Sequence, residues 1–144
     1  MRQLAKLFRL SSAERRLVLE AAVLMGLARM IVLTVPFRWV ASVLEGKSAE
    51  EESDEQTSGQ KIKKVAWAVR RTSLYTPWRS NCLAQAIAAK YMLRRRRISN
   101  TLYMGMAKNP QGEFEAHAWL RSGETIITGG SDLERYAILA VFAE

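Results

Sequence analysis

Up to Arg97 the apolar residues recur three and four apart, and from Thr101 they alternate with polar ones. A helix repeats its face about every 3.6 residues and a strand every two, so this one change of period divides the chain into a helical part and a sheet part. Ser11-Ser12-Ala13-Glu14 reads as a capping box, with the Ser hydroxyl on a free backbone N–H and Glu14 reaching back. It opens an apolar helix from about Ser12 to Leu33, and Val35-Pro36 ends that helix because Pro has no N–H to donate. A short helix is expected from Phe37 to Leu44. Ile62, Val65, Ala66 and Val69 mark another, to about Thr72. A further helix runs from Cys82 to Arg95, capped by Ser80 or Asn81, with Leu83, Ile87 and Tyr91 as its apolar stripe. Its alanines, Ala84, Ala86, Ala88 and Ala89, leave it slim enough to lie close to a sheet. Strands are predicted at Thr101 to Ala107, at Phe114 to Arg121, at Thr125 to Thr128 and at Tyr136 to Phe142, with turns at Asn109 to Gly112 and Ser122-Gly123. The fold class is α+β: N-terminal helices, then a Cys-bearing helix packed on an antiparallel sheet.

Ser48 to Gln60 holds five acidic residues and no aromatic, which predicts a flexible acidic linker between an N-terminal helical segment, 1–47, and a core, 61–144. A core of that length is marginal alone, so the N-terminal helices are expected to pack on it or on a partner. Ala21 to Phe37 is apolar enough to suggest a membrane span, but Arg29 interrupts it and Pro36 breaks it. A buried or partner-facing helix pair is the expectation. The formal net charge is +8, and Lys61 to Gly112 contributes twelve basic and no acidic residues. Such a segment attracts nucleic acid, an anionic membrane or an acidic peptide. The run Arg94 to Arg97 is read as a solvated helix end suited to the helix dipole, which weighs against a nucleic-acid-binding module.

The sequence contains one Cys and one His. An internal disulfide is excluded, zinc lacks its four ligands, and no cofactor is called for. With no apolar core in Met1 to Lys6 to suggest a secretory leader, a reducing, cytoplasmic setting is expected. Cys82 stands at a helix start, where free backbone N–H groups favour thiolate over thiol and can hold an oxyanion. His117 lies mid-strand with Glu115 and Trp119 on its face, so a Cys82–His117 pair would supply nucleophile and general base for acyl transfer. A third group should orient the imidazole. A two-residue turn at Ser122-Gly123 opposes His117 to Thr128, and a three-residue turn opposes it to Gly129. Asp132 is the nearest acid downstream. Glu115 lies alongside, about 7 Å away. Trp78 is expected to pack rather than donate its indole N–H.

Several blocks resemble one family: Trp78-Arg79-Ser80-Asn81-Cys82-Leu83-Ala84-Gln85-Ala86, Leu93-Arg94-Arg95-Arg96, Leu102-Tyr103-Met104-Gly105 and Glu115-Ala116-His117-Ala118-Trp119-Leu120. They are similar to the lasso peptide leader peptidases, which are transglutaminase-like, papain-related cysteine peptidases. Leu10 to Arg16 and the helix after it look like that family's N-terminal segment. The resemblance implies a transglutaminase-like core with catalytic Cys82 and His117, and removal of the leader from a ribosomally made precursor peptide. It also implies two partners, a separate small leader-recognition protein and an ATP-dependent lasso cyclase, because this chain looks like the split, peptidase-only form. Many members carry an Asp about a dozen residues after the His, where this chain has Thr128-Gly129-Gly130. Asp132 is the candidate replacement. Without it the enzyme would work as a dyad, or the chain would be a non-catalytic scaffold for the cyclase. Amide-forming acyl transfer is a further alternative.

Overall fold

A computed structural model describes residues 5–6, 8–44, 55–75, 82–130 and 133–143. Helix α1 (Ser12–Thr34) begins at the capping box. Ser11 Oγ accepts from the Glu14 amide at 3.2 Å, and Glu14 Oε2 accepts from the Ser11 amide at 2.9 Å. Val35, extended ahead of Pro36, closes the helix with its N–H on the Ile31 carbonyl at 2.8 Å. Helices α2 (Phe37–Leu44), α3 (Glu55–Tyr75) and α4 (Cys82–Arg95) follow, then strands β1 (Thr101–Lys108), β2 (Phe114–Ser122), β3 (Thr125–Thr128) and β4 (Ala137–Ala143). A 3-10 turn, Leu133–Arg135, precedes β4. The strands form one antiparallel sheet in the order β3-β2-β1-β4. The α+β class therefore stands as predicted.

Helix α4 is the hub. It lies against α1, α3 and β2, and buries Ala86, Ala88, Ala89, Met92 and Leu93 among Met25 of α1, Val65 and Val69 of α3, and Leu102, Ala118 and Leu120 of the sheet. The alanines let the helix approach closely, and each large side chain removed from water contributes about 1.5–3 kcal/mol. The N-terminal helices pack on this core, as its small size required. Thr72 Oγ1 adds a buried polar tie, donating to the Ala68 carbonyl at 2.8 Å and lying 3.4 Å from the Val18 carbonyl.

At the far end of α4 the chain reverses through Arg97, whose φ of 56° is the left-handed conformation usually given to glycine. Ile98 N–H reaches the Leu93 carbonyl and Arg97 N–H the Arg94 carbonyl, both at 3.0 Å.

Four expectations are corrected. Helix α3 begins at Glu55 and extends six residues into the stretch read as linker, because Glu and Gln are good helix formers even without apolar spacing. Residues 45–54 lie outside those described. On α4, Tyr91 is exposed and Lys90 is buried, since Lys90 finds acceptors and Tyr91 points away from the core. Arg95 and Arg96 are not a merely solvated end: they pair with Glu20 of α1 at 3.1 and 2.8 Å. Finally, the β2–β3 turn is Gly123-Glu124. Ser122 pairs with Thr125, and an irregularity between Leu120 and Arg121 brings Leu120 opposite Thr128. Neither register expected for His117 holds.

Candidate active site

Cys82 is the first residue of α4 and is half-buried at the margin of the core. Its helix start points the backbone N–H groups of the first turn out of the helix end. Gln85, three residues on, shares its helix face.

His117 lies midway along β2, opposite Gly105 of β1, and is half-buried. Its Nε2 is 2.7 Å from the carbonyl oxygen of Gly129. A carbonyl only accepts, so Nε2 carries the proton and donates it, which leaves Nδ1 as the basic nitrogen. The ring is also held by aromatic neighbours. It stacks on Tyr136, centroids 4.8 Å apart, and on Trp119, 5.9 Å apart, while Trp119 stacks on Tyr103 at 5.5 Å. Gly105 makes room for this wall: a Cβ there would lie 3.0 Å from the Tyr136 Cβ and 3.1 Å from the Trp119 ring.

Gly129 is required by two separate constraints. Its φ of 70° is left-handed, and a Cβ would lie 2.5 Å from the Ala118 carbonyl oxygen and 3.0 Å from His117 Nε2. The carbonyl that orients the imidazole is thus delivered by a backbone shape open to glycine alone. Sequence reasoning named Gly129 as a possible neighbour of His117 but looked for the orienting group among side chains. The available signal was the Gly129-Gly130 pair itself.

The other candidates fall differently. Asp132, Trp78, Ser80 and Asn81 lie outside the described residues. Glu115 is exposed, with Oε2 3.7 Å from Arg135, so its carboxylate is directed at that guanidinium and not at the imidazole. Among the described residues no cluster of His, Cys, Asp or Glu suits a metal ion.

Ala118 and Leu120 face the helices, so His117 and Trp119, alternating with them, stand on the opposite face of the sheet. The buried helix–sheet interface therefore does not join sulfur and imidazole. A cleft of about 400 Å³ opens at the N-terminal end of α4, lined by Val69, Arg70 and Ser73 of α3, by Gln85, and by Ile126 to Gly130. It borders both the first turn of α4 and the glycine that holds His117. Thr128 Oγ1, buried in its wall, has no hydrogen-bond partner among the described residues.

A family model described as the transglutaminase-like superfamily matches residues 25–141. Neither a curated protein nor a solved structure matches the chain.

Proposed function

The chain belongs to the transglutaminase-like superfamily, and from that premise we propose that it is a cysteine peptidase that removes the leader from a ribosomally made lasso precursor peptide. The observation that carries the reading is the bond from His117 Nε2 to the Gly129 carbonyl, which fixes the ring and reserves Nδ1 as a base. The superfamily supports a cysteine-peptidase type of fold. The residues around Cys82 and His117, which resemble the leader peptidases, support the narrower assignment.

In this mechanism His117 Nδ1 takes the thiol proton and Cys82 Sγ attacks the carbonyl carbon of the last leader residue. The oxyanion is held by amides at the start of α4, that of Cys82 among them. Collapse breaks the peptide bond, and the proton on His117 passes to the departing amine, the new N-terminus of the core peptide. Water, deprotonated by the same nitrogen, then hydrolyses the thioester and releases the leader. The Gly129 carbonyl keeps the ring in the required tautomer throughout, the task an acid performs in relatives. Asp132 remains a candidate to assist.

The partners of this reading are the precursor leader, a separate small leader-recognition protein and an ATP-dependent lasso cyclase, all in the cytoplasm. The reading includes no nucleic acid, and the pairing of Arg95 and Arg96 with Glu20 supports that choice by withdrawing two cations from the basic segment. The test is intact-mass analysis of a cognate precursor incubated with the chain and the recognition protein. Cleavage at one bond, lost in Cys82→Ala, supports the proposal. Cleavage that persists in Cys82→Ala refutes the mechanism. Cyclisation that needs the chain but tolerates Cys82→Ala makes it a scaffold, a role that the glycine at the acid's place would suit.

A further inference from the structure

Helix α1 has two apolar faces, and the described residues cover only one. Val18, Ala21, Met25 and Ala28 are buried. Leu19, Val23, Leu27 and Met30, spaced four, four and three residues apart, form a line on the other side and are 65%, 59%, 51% and 63% exposed. Arg16 stands on the same line, one turn before Leu19. The helix is about 34 Å long, and its best window has a mean hydropathy of 2.0. Exposed aromatics lie beyond both ends, Phe8 on one side and Phe37 and Trp39 on the other.

We infer that this line seats the protein on an anionic lipid surface, with α1 lying in the plane of the headgroups. The charge at its ends selects this occupant. Lys6, Arg9, Arg15 and Arg16 are exposed at one end and Arg38 at the other. The two acids of α1 itself are engaged elsewhere: Glu14 caps its own helix, and Glu20 is bonded to Arg95 and Arg96. An apolar strip with cations and aromatics at its ends matches the boundary between acyl chains and negative headgroups. A second copy fits poorly, because pairing two such lines in either direction sets cation against cation. Spanning the bilayer would strip Val18, Ala21, Met25 and Ala28 from α3 and α4. This inference is independent of the peptidase reading.

The experiment is sedimentation of the full chain with vesicles of phosphatidylglycerol and phosphatidylcholine in equal parts, and with phosphatidylcholine alone. The expected result is capture on the anionic vesicles that weakens about tenfold or more without phosphatidylglycerol or in high salt. V23E/L27Q, checked for unchanged circular dichroism, should lose capture to a similar degree. A second measurement places a polarity-sensitive dye at Met30→Cys in a Cys82→Ser background, where anionic vesicles should shift its emission to the blue. Failure of the wild type to sediment, capture undiminished in V23E/L27Q, or an unshifted dye on captured protein overturns the inference. A wild-type dimer that V23E/L27Q converts to monomer also overturns it, by assigning the line to a second copy.

Discussion

The two ends of α4 are built for different purposes. At its start, Cys82 is half-buried beside a polar cleft, and the neighbouring strand supplies a glycine in a conformation closed to other residues. At its finish, Arg95 and Arg96 grip Glu20, and Lys90, 2% exposed, donates to Asn100 Oδ1 at 2.8 Å and to the Phe142 carbonyl at 3.2 Å. One end leaves a thiol half-exposed, and the other fastens the helix to α1, β4 and the turn before β1. On the proposed function, the difference teaches that anchoring and chemistry are separated along a single helix of 14 residues. Substitutions at one end should then leave the other largely unmoved.

The largest effect is expected at the start. Cys82→Ala should lower precursor cleavage by about a thousandfold or more while shifting stability by only about 1 kcal/mol. Quantitative mass spectrometry and a denaturant melt check both halves, and a large loss of stability would dissolve the separation. Gly129→Ala comes next. It forces the left-handed backbone onto a side chain and displaces the carbonyl, so cleavage should fall roughly 10- to 100-fold. Because the ring then loses its fixed tautomer, the pH profile of Cys82 alkylation should change too. An unchanged profile with slower cleavage would mean that the glycine serves the fold alone.

At the other end the effects are on stability and its dependence on pH. Burial penalises the charged form of Lys90, helped by the nearby charge of Arg94, and brings its pKa down to about 8 from 10.5. Between those values the unfolded chain holds the proton and the folded chain does not, so stability rises with pH across that window. Lys90→Met should remove a rise on the order of 3 kcal/mol, read as the difference between wild-type and variant urea melts, with cleavage unaffected. Glu20 acts in the same direction, but in the acid range. Its hydrogen bond to Arg96, aided by the charges of Arg96 and Arg95, outweighs burial and holds its carboxyl below the usual 4.5. The stability it confers is full above that value and is lost as pH falls through the lowered one. Glu20→Gln should cost about 1 kcal/mol at neutral pH, the smallest effect here, and the gap to wild type should close in acid. A Glu20→Gln variant that also slows cleavage would show the two ends to be mechanically coupled.

What the sequence disclosed follows the same division between local and distant causes. The capping box at Ser11 and Glu14, the stop at Pro36, the span Cys82–Arg95 and the alternation in β2 are set by neighbours a few residues apart, and each was readable. Cys82 and His117 stood out as the single thiol and imidazole of the chain. The burial of Lys90 was hidden because its acceptors come from Asn100 and Phe142, ten and 52 residues away. The irregularity between Leu120 and Arg121 was equally hidden, since no glycine or proline marks it, and it shifts every pairing beyond it. The orienting group of His117 was missed for a different reason: it belongs to the main chain, which every residue has and no letter of the sequence advertises.

That last feature bears on how the protein can change. A carboxylate in the orienting position is lost by one substitution and gains a proton in acid, so it can be deleted or switched off. The Gly129 carbonyl can be displaced, as in Gly129→Ala, but neither deleted nor protonated. It carries no proton to gain, and every residue that replaced the glycine would still bring a carbonyl with it. The support of the imidazole is vulnerable only to a bend in the chain.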